Sequence, residues 1–209
     1  MAVIERIAFY QNIRDEKPNQ ELARELAEER NLEGIAEIAG YLKDKNPNVR
    51  SDCLKVLYEI GYIAPDLITQ YADKFLELLE SKQNRLVWGS MIALSTIAGI
   101  VPQQVSRDVD KVIHATRYGI VITVVNGVKV LSTIAAIDKN LSEKIIQVLM
   151  ELLETCIPRD VPTHAENMLP CINQENKQVI LDLIKDREPE LSKAQMTRMK
   201  RVIRKIQDI

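Results

Sequence analysis

The residues of this chain whose types could do chemistry are three cysteines, two histidines and polar side chains scattered through apolar runs. His164 lies eight residues after Cys156 and seven before Cys171, which fits no zinc-binding spacing, and a fourth ligand is missing. No Ser, Cys, His or Asp stands in a recognisable nucleophile motif, and no glycine-rich loop could hold a phosphate. We therefore expect no catalysis, no metal ion and no cofactor.

A stripe of polar residues offers binding chemistry instead. Asn126, Lys129 and Thr133 are spaced by three and four residues inside the apolar run 120–137, so a helix would place them on one side. Similar residues recur at matching positions of the repeat described below, and together they predict a groove that binds a partner: Asp52, Lys55, Glu59, Arg85, Trp88, Asn126, Lys129, Thr133, His164 and Asn167. The alternatives are that these residues form the ordinary solvated side of a helix and that Trp88 packs in the core. In either case the polar row should face solvent, so we expect truncation of Lys55 to alanine to cost at most ~0.5 kcal/mol.

The elements that would position these residues repeat along the chain. Leu57, Leu94, Leu131 and Leu169 are separated by 37, 37 and 38 residues, and the apolar positions around them fall in phase. A fixed period of this length is typical of a solenoid. The chain is 46% hydrophobic but only 4% aromatic, which favours helices over a β-sheet. We predict an all-α protein of at least ten helices without a sheet.

Proline-rich and asparagine-rich breaks divide the chain into helices of ordinary length. The predicted helices are a short one at 3–11, an acidic one at 20–30, the pairs 32–43 with 48–61, 65–80 with 85–100, 107–116 with 120–137 and 142–155 with 162–171, and two last helices at 175–186 and 192–207. Ser142 and Ser192 are the expected first residues or caps of their helices. Pro170 should end or kink the helix that precedes it.

The second helix of several pairs is hydrophobic on nearly every side, as in 86–101 and 120–137. Such a helix must be covered all round, and stacking between neighbouring repeats provides that cover. We therefore expect one domain over 1–209, with capping helices in 1–31, about four repeats in 32–173 and further capping helices in 174–209.

One repeat carries a sequence pattern that resembles a known family. Asn46-Pro47-Asn48-Val49-Arg50, followed by Cys53, Leu54, Leu57 and Ile60, is similar to the opening of the second helix in HEAT repeats of the armadillo-like class. The later repeats depart from the pattern, since Gln83-Asn84-Arg85-Leu86-Val87 lacks the proline and has valine where Arg50 stands. The resemblance covers roughly 32–171. It implies an α–α superhelix whose concave face carries the polar rows.

The resemblance also implies a class of function. HEAT-like arrays are typically scaffolds that bind a protein or peptide on the concave face, and we expect this function, without enzymatic activity. The alternative is a nucleic-acid-binding protein similar to the HEAT-like DNA glycosylases. A net charge of −2 disfavours nucleic acid, but the basic last helix makes Arg198, Arg201 and Arg204 the candidate contacts if that alternative applies.

The remaining expectations concern surroundings and self-association. The run 119–137 is long enough to span a bilayer, but Asn126 and Lys129 at its centre indicate a buried helix, so we expect no membrane contact. Three cysteines without a C-x-x-C pair favour a reducing compartment, which suggests the cytoplasm. Because 20–37 is acidic and 193–205 is basic, we expect a monomer or weak head-to-tail self-association.

Overall fold

The computed structural model describes residues 2–209, and over this range the chain contains twelve α-helices and no β-strand, as predicted. The helices are α1 Lys17–Glu28, α2 Leu32–Gly40, α3 Pro47–Ile63, α4 Ala72–Leu78, α5 Asn84–Ile97, α6 Pro102–Arg107, α7 Val109–Tyr118, α8 Val121–Ile137, α9 Lys139–Thr155, α10 Val161–Met168, α11 Lys177–Arg187 and α12 Lys193–Gln207. Short 3-10 helices occupy Val3–Arg6, Tyr41–Lys43, Pro65–Tyr71, Leu169–Cys171 and Glu188–Glu190. No helix within 2–209 is both long enough and apolar enough to cross a membrane.

The chain divides into two compact units, the first ending at Lys111 and the second beginning at Val112. In the first unit α3 packs between α1 and α5, and these three helices form one layer. A second layer lies against it: α2 packs on α3, α4 packs on α5, and α6 packs on α4. The second unit is built in the same way, because α10 packs between α8 and α12 while α9 packs on α8 and α11 packs on α9.

Local sequence explains where the helices of the first layer begin. Asn46 has extended backbone, and its side chain accepts a hydrogen bond of 2.9 Å from the N–H of Asn48, which has no partner within the helix. Pro47 follows at the first helical position, where its missing N–H costs nothing. In the pattern that resembles a HEAT repeat, the asparagine is therefore the N-cap of α3 and the proline is its first residue.

The periodic leucines mark the core of each unit. Leu57, Leu94 and Leu131 are completely buried, as the repeat predicts, whereas Leu169 is only partly buried. The apolar run of α8 is not buried from its start, because Val121 is about half exposed. The expectation that the whole run forms the core is therefore wrong for the first turn of α8.

Several predicted boundaries differ from the structure. The helix expected at 65–80 begins as the 3-10 helix Pro65–Tyr71 and becomes α-helical only at Ala72. The first predicted helix is reduced to Val3–Arg6, and α6 is an additional helix before α7.

Capping residues account for two other differences. α9 begins at Lys139 rather than near Ser142, because Asp138 accepts a hydrogen bond from the N–H of Asn140 and so starts the helix earlier. Ser192 does cap α12, as predicted. Gln195 completes a capping box there, since its side chain accepts from the N–H of Ser192 at 2.7 Å. The helix before Pro170 ends at Met168, also as predicted.

Candidate binding surfaces

The first unit brings four of the predicted binding residues into one cleft. Asp52 and Lys55 from α3 and Arg85 and Trp88 from α5 line a cleft of about 90 Å³. The other lining residues also belong to the α1–α3–α5 layer or to the cap of α1: Glu16, Asn19, Ser51, Leu54 and Tyr58. Among the residues that the structure describes, none from α2, α4 or α6 contributes. The cleft therefore opens on the face of the layer that the second layer leaves uncovered.

Lys55 is the electrostatic centre of this cleft. Its Nζ lies 2.8 Å from a carboxylate oxygen of Glu16 and 2.8 Å from one of Glu59, and 4.9 Å from the centre of the Tyr58 ring. Burial opposes the charged amine, but the bonds to Glu16 and Glu59 outweigh it and hold the pKa of Lys55 above its usual value. Only 8% of Lys55 is exposed. The sequence predicted a solvated side chain at this position, and the structure buries it instead.

Asp52 connects this cleft to the N-terminal segment. Its Oδ2 accepts a hydrogen bond of 2.8 Å from the backbone N–H of Phe9. Burial raises the pKa of the Asp52 carboxyl, although the bond from Phe9 and the charge of Arg85 act in the opposite direction. Asp52 thus ties the N-terminal segment to α3 through one of its two carboxylate oxygens.

Aromatic rings continue the same surface along α3. The Trp88 and Tyr58 ring centres are 6.0 Å apart, and Tyr62 meets Tyr58 edge-on at 6.2 Å. Burial raises the pKa of Tyr58 to about 12. Tyr62, by contrast, is 58% exposed. A Cβ on Gly89 would lie 2.7 Å from Leu54, so glycine allows α5 to approach α3 beside Trp88.

The predicted residues on α8 mostly bond their own helix. The side-chain amide of Asn126 donates to the carbonyl of Ile122 at 2.8 Å, and the Thr133 hydroxyl donates to the carbonyl of Lys129 at 2.9 Å. Asn167 on α10 donates to the carbonyl of Val125 at 3.3 Å and so links α10 to α8. The Lys129 side chain is exposed. These polar residues mainly satisfy backbone groups, and Lys129 is the one that extends into solvent.

His164 lies in a different pocket. It is only 2% exposed and lines a mostly apolar pocket of about 280 Å³ with residues of the α8 start and the α9 end, among them Val121, Leu152 and Ile157. Burial lowers the pKa of His164, with a smaller opposing effect of the Asp160 carboxylate. Within 2–209 no three His, Cys, Asp or Glu side chains are grouped as metal ligands would be.

The basic last helix forms a pocket of its own with α10. Arg198 and Arg201 line it together with Glu166, Val202 and Lys205. Lys205 was not among the candidate residues, and Arg204 does not line the pocket. The spacing could have revealed this, because positions 198, 201 and 205 follow the i, i+3, i+7 pattern of one helix face.

Comparison with known proteins shows what fold this is. No protein-family model matches the chain, and no curated protein matches it. A crystal structure of an engineered protein is 19% identical and aligns over 100% of both chains with a TM-score of 0.68. A designed armadillo repeat protein in complex with the peptide (KR)4 is 13% identical, with a TM-score of 0.69 over 98% of each chain. Computationally designed armadillo repeat proteins for modular peptide recognition are 14% identical, with a TM-score of 0.67 over 97% of this chain and 98% of theirs.

Sequence identities this low are informative about the fold alone. Both the match over nearly the whole chain and the layered helices confirm the all-α helical-repeat architecture that the 37-residue period predicts. The chain has the fold of the armadillo-like helical repeat proteins.

Proposed function

We propose that this chain is a non-enzymatic interaction module that binds a protein or peptide on the uncovered face of the α1–α3–α5 layer. The observation that carries the proposal is an aromatic surface beside a preformed set of ion pairs. Tyr62 is exposed and Trp88 is half-buried, and aromatic side chains of this kind are the commonest anchors of protein interfaces. One structural neighbour is a designed armadillo repeat protein in complex with a peptide, which supports the same kind of partner.

The charges of the cleft suit binding better than catalysis. Glu16, Lys55 and Glu59 are already paired, so a partner meets fixed side chains and loses little free energy in ordering them. A nucleophilic amine or phenolate would need a lowered pKa, whereas the pKa values of Lys55 and Tyr58 are both raised. This combination favours a recognition surface.

The nucleic-acid alternative gains little from the cleft. Glu16 and Asp52 line it, Glu59 pairs with its central lysine, and these carboxylates would repel a phosphate backbone. Of its residues, Trp88 alone has a half-exposed ring on which a base could stack. The concave position of this face, the cytoplasmic location and the weak self-association stay predictions.

Selection of peptides from a random display library against the immobilised chain tests the proposal. We expect peptides with micromolar or tighter affinity. The double variant Tyr62→Ala/Arg85→Ala should weaken them about tenfold, because both side chains are exposed on the proposed face.

Tyr118→Ala is the matched control, since Tyr118 is 76% exposed on α7. It should change affinity by less than about twofold. A selection that yields no binder would overturn the proposal, and so would binders that the double variant and the control affect equally.

A further inference from the structure

The pocket between α10 and α12 has an unusual balance of charge. It has a volume of about 310 Å³ and is lined by three bases, Arg198, Arg201 and Lys205, against the single carboxylate of Glu166. The chain as a whole is slightly acidic, with a net charge of −2. A local excess of positive charge on an acidic protein is a feature that requires its own explanation.

Arg198 is bonded to side chains of α10. Its Nε and Nη2 donate to the same Glu166 oxygen at 3.0 and 2.5 Å, and its Nη1 donates to the Thr163 hydroxyl at 2.9 Å. These bonds fix the guanidinium against α10 and use all three of its nitrogens. Arg198 is therefore a positioning residue that orients Glu166 and forms one wall of the pocket.

Arg201 and Lys205 are different, because neither side chain has a hydrogen bond or ion pair within the described residues. Both are nevertheless close enough to Glu166 to help lower the pKa of its carboxyl, in addition to the larger effect of Arg198. Two cations that face one pocket without internal partners are free to bind an external anion.

The spacing of the two cations indicates the form of that anion. Residues four apart on a helix are separated by about 6 Å along its axis. Alternate side chains of an extended peptide are separated by about 7 Å. Two carboxylates at alternate positions of an extended peptide therefore match Arg201 and Lys205, and the arginine can hold its carboxylate with two parallel hydrogen bonds.

The composition of the pocket disfavours a continuous polyanion. The Glu166 carboxylate would repel a phosphate backbone that passed over it, and no aromatic ring of residues 2–209 lines the pocket on which a base could stack. An acidic peptide can instead place uncharged residues opposite Glu166.

We propose that the α10–α12 pocket is a binding site for an extended acidic peptide segment, held by Arg201 and Lys205 between walls formed by Arg198 and Glu166. The cleft that Trp88 lines belongs to α1, α3 and α5, whereas this pocket belongs to α10 and α12 and requires a different ligand. Each of the two proposals can therefore fail without the other.

Fluorescence anisotropy with labelled octapeptides at about 50 mM salt tests the proposal, because ion pairs are weakly screened there. A peptide of alternating Glu and Ser should bind at least about tenfold more tightly than one of alternating Lys and Ser. The double variant Arg201→Ala/Lys205→Ala should lose at least about tenfold of this affinity.

The control is Lys200→Ala/Arg204→Ala, which removes the same charge from the same helix but affects exposed residues that do not line the pocket. It should change affinity less than about threefold. Circular dichroism of both variants checks that the helix is retained. Equal losses of peptide affinity in the two variants would mean that only the net charge of the helix matters, and this would overturn the proposal.

Two further measurements examine other occupants. If single-stranded oligothymidine binds more tightly than the acidic peptide and depends on Arg201 and Lys205, the site is for nucleic acid and the proposal is overturned. Sedimentation velocity at the same salt detects a second copy of the chain. Self-association that is tighter than the binding of the acidic peptide and that disappears in the Arg201→Ala/Lys205→Ala variant would make that copy the occupant and would also overturn the proposal.

Discussion

Arg187 offers the sharpest test of how the second unit is held together. Its guanidinium is almost completely buried and donates to the carbonyls of Leu153 and Cys156 at 2.7 Å each, and also to the carbonyl of Glu154. These carbonyls belong to the end of α9, where the last four carbonyls of a helix have no partner within it. Nε and Nη2 also donate to the two Glu190 oxygens, at 2.8 and 2.9 Å.

The expected cost of Arg187→Met follows from these contacts. Three carbonyls lose a charged donor, and each buried group left without a partner costs roughly 1–3 kcal/mol. The favourable interaction of the cation with the negative end of α9 is lost as well, at ~0.3–1 kcal/mol. Relaxation and entering water recover part of the loss, so we expect the free energy of unfolding to fall by about 3–5 kcal/mol, as for other broken buried ionic networks. The melting temperature should fall by about 10 °C.

Urea denaturation followed by far-ultraviolet circular dichroism measures this change. Arg187→Lys should retain part of the stability, because lysine keeps the charge but lacks the planar fork that reaches several carbonyls. Arg159→Met is the control, since that side chain is exposed and contacts only Asp160, and it should cost no more than ~0.5 kcal/mol. A loss below ~1 kcal/mol for Arg187→Met, or one equal to that of the control, would refute the argument that Arg187 caps α9.

Three other predictions test burial and charge. Lys55→Met should destabilise the chain by ~1–3 kcal/mol in the same urea assay, because the half-buried Glu59 carboxylate loses its partner, and a change within error would contradict this. Leu131→Ala should cost ~2–5 kcal/mol, whereas Val121→Ala, at an exposed position, should cost under ~1 kcal/mol, so similar costs would show that the register of α8 is wrong. Because burial depresses the pKa of His164 in the folded state, the unfolded chain binds that proton more readily, and stability should fall as pH drops below about 6.5. His164→Gln should reduce this pH dependence and His114→Gln, at an exposed residue, should not, as measured by the urea midpoint at several pH values.

The fold could be inferred from the sequence because two independent signals agree. The leucine period sets the repeat, and the asparagine–proline start of α3 fixes the phase of one repeat within it. Three of the four periodic leucines are completely buried. The first residue of a helix was harder to predict where several residues could cap the same helix. Asp138 precedes Ser142 by one turn, and it is Asp138 that caps α9.

The candidate sites were less predictable, because a period assigns equivalent positions but not equivalent surroundings. Asp52 and His164 stand five residues before the periodic leucines Leu57 and Leu169, so they occupy equivalent positions of the repeat. Asp52 is half-buried and lines the cleft beside Lys55, whereas His164 is almost completely buried and lines a mostly apolar pocket together with Leu152 and Ile157. Pro170 contributes to the difference, since α10 ends at Met168 after only eight residues while α3 continues for seventeen.

The sequence also did not reveal which ion-pair partners a charged side chain would have. Lys55 has a carboxylate four residues ahead on its own helix, which the sequence displays, but its second partner, Glu16, is distant in the chain and approaches only when α1 packs on α3. That packing converts a side chain expected on a solvated surface into a buried cation with two carboxylates. The same reasoning separates Arg198 from Arg201 and Lys205. All three belong to one basic helix, but only Arg198 meets Glu166 and Thr163 of α10, so the two others carry the charge that is available to a ligand.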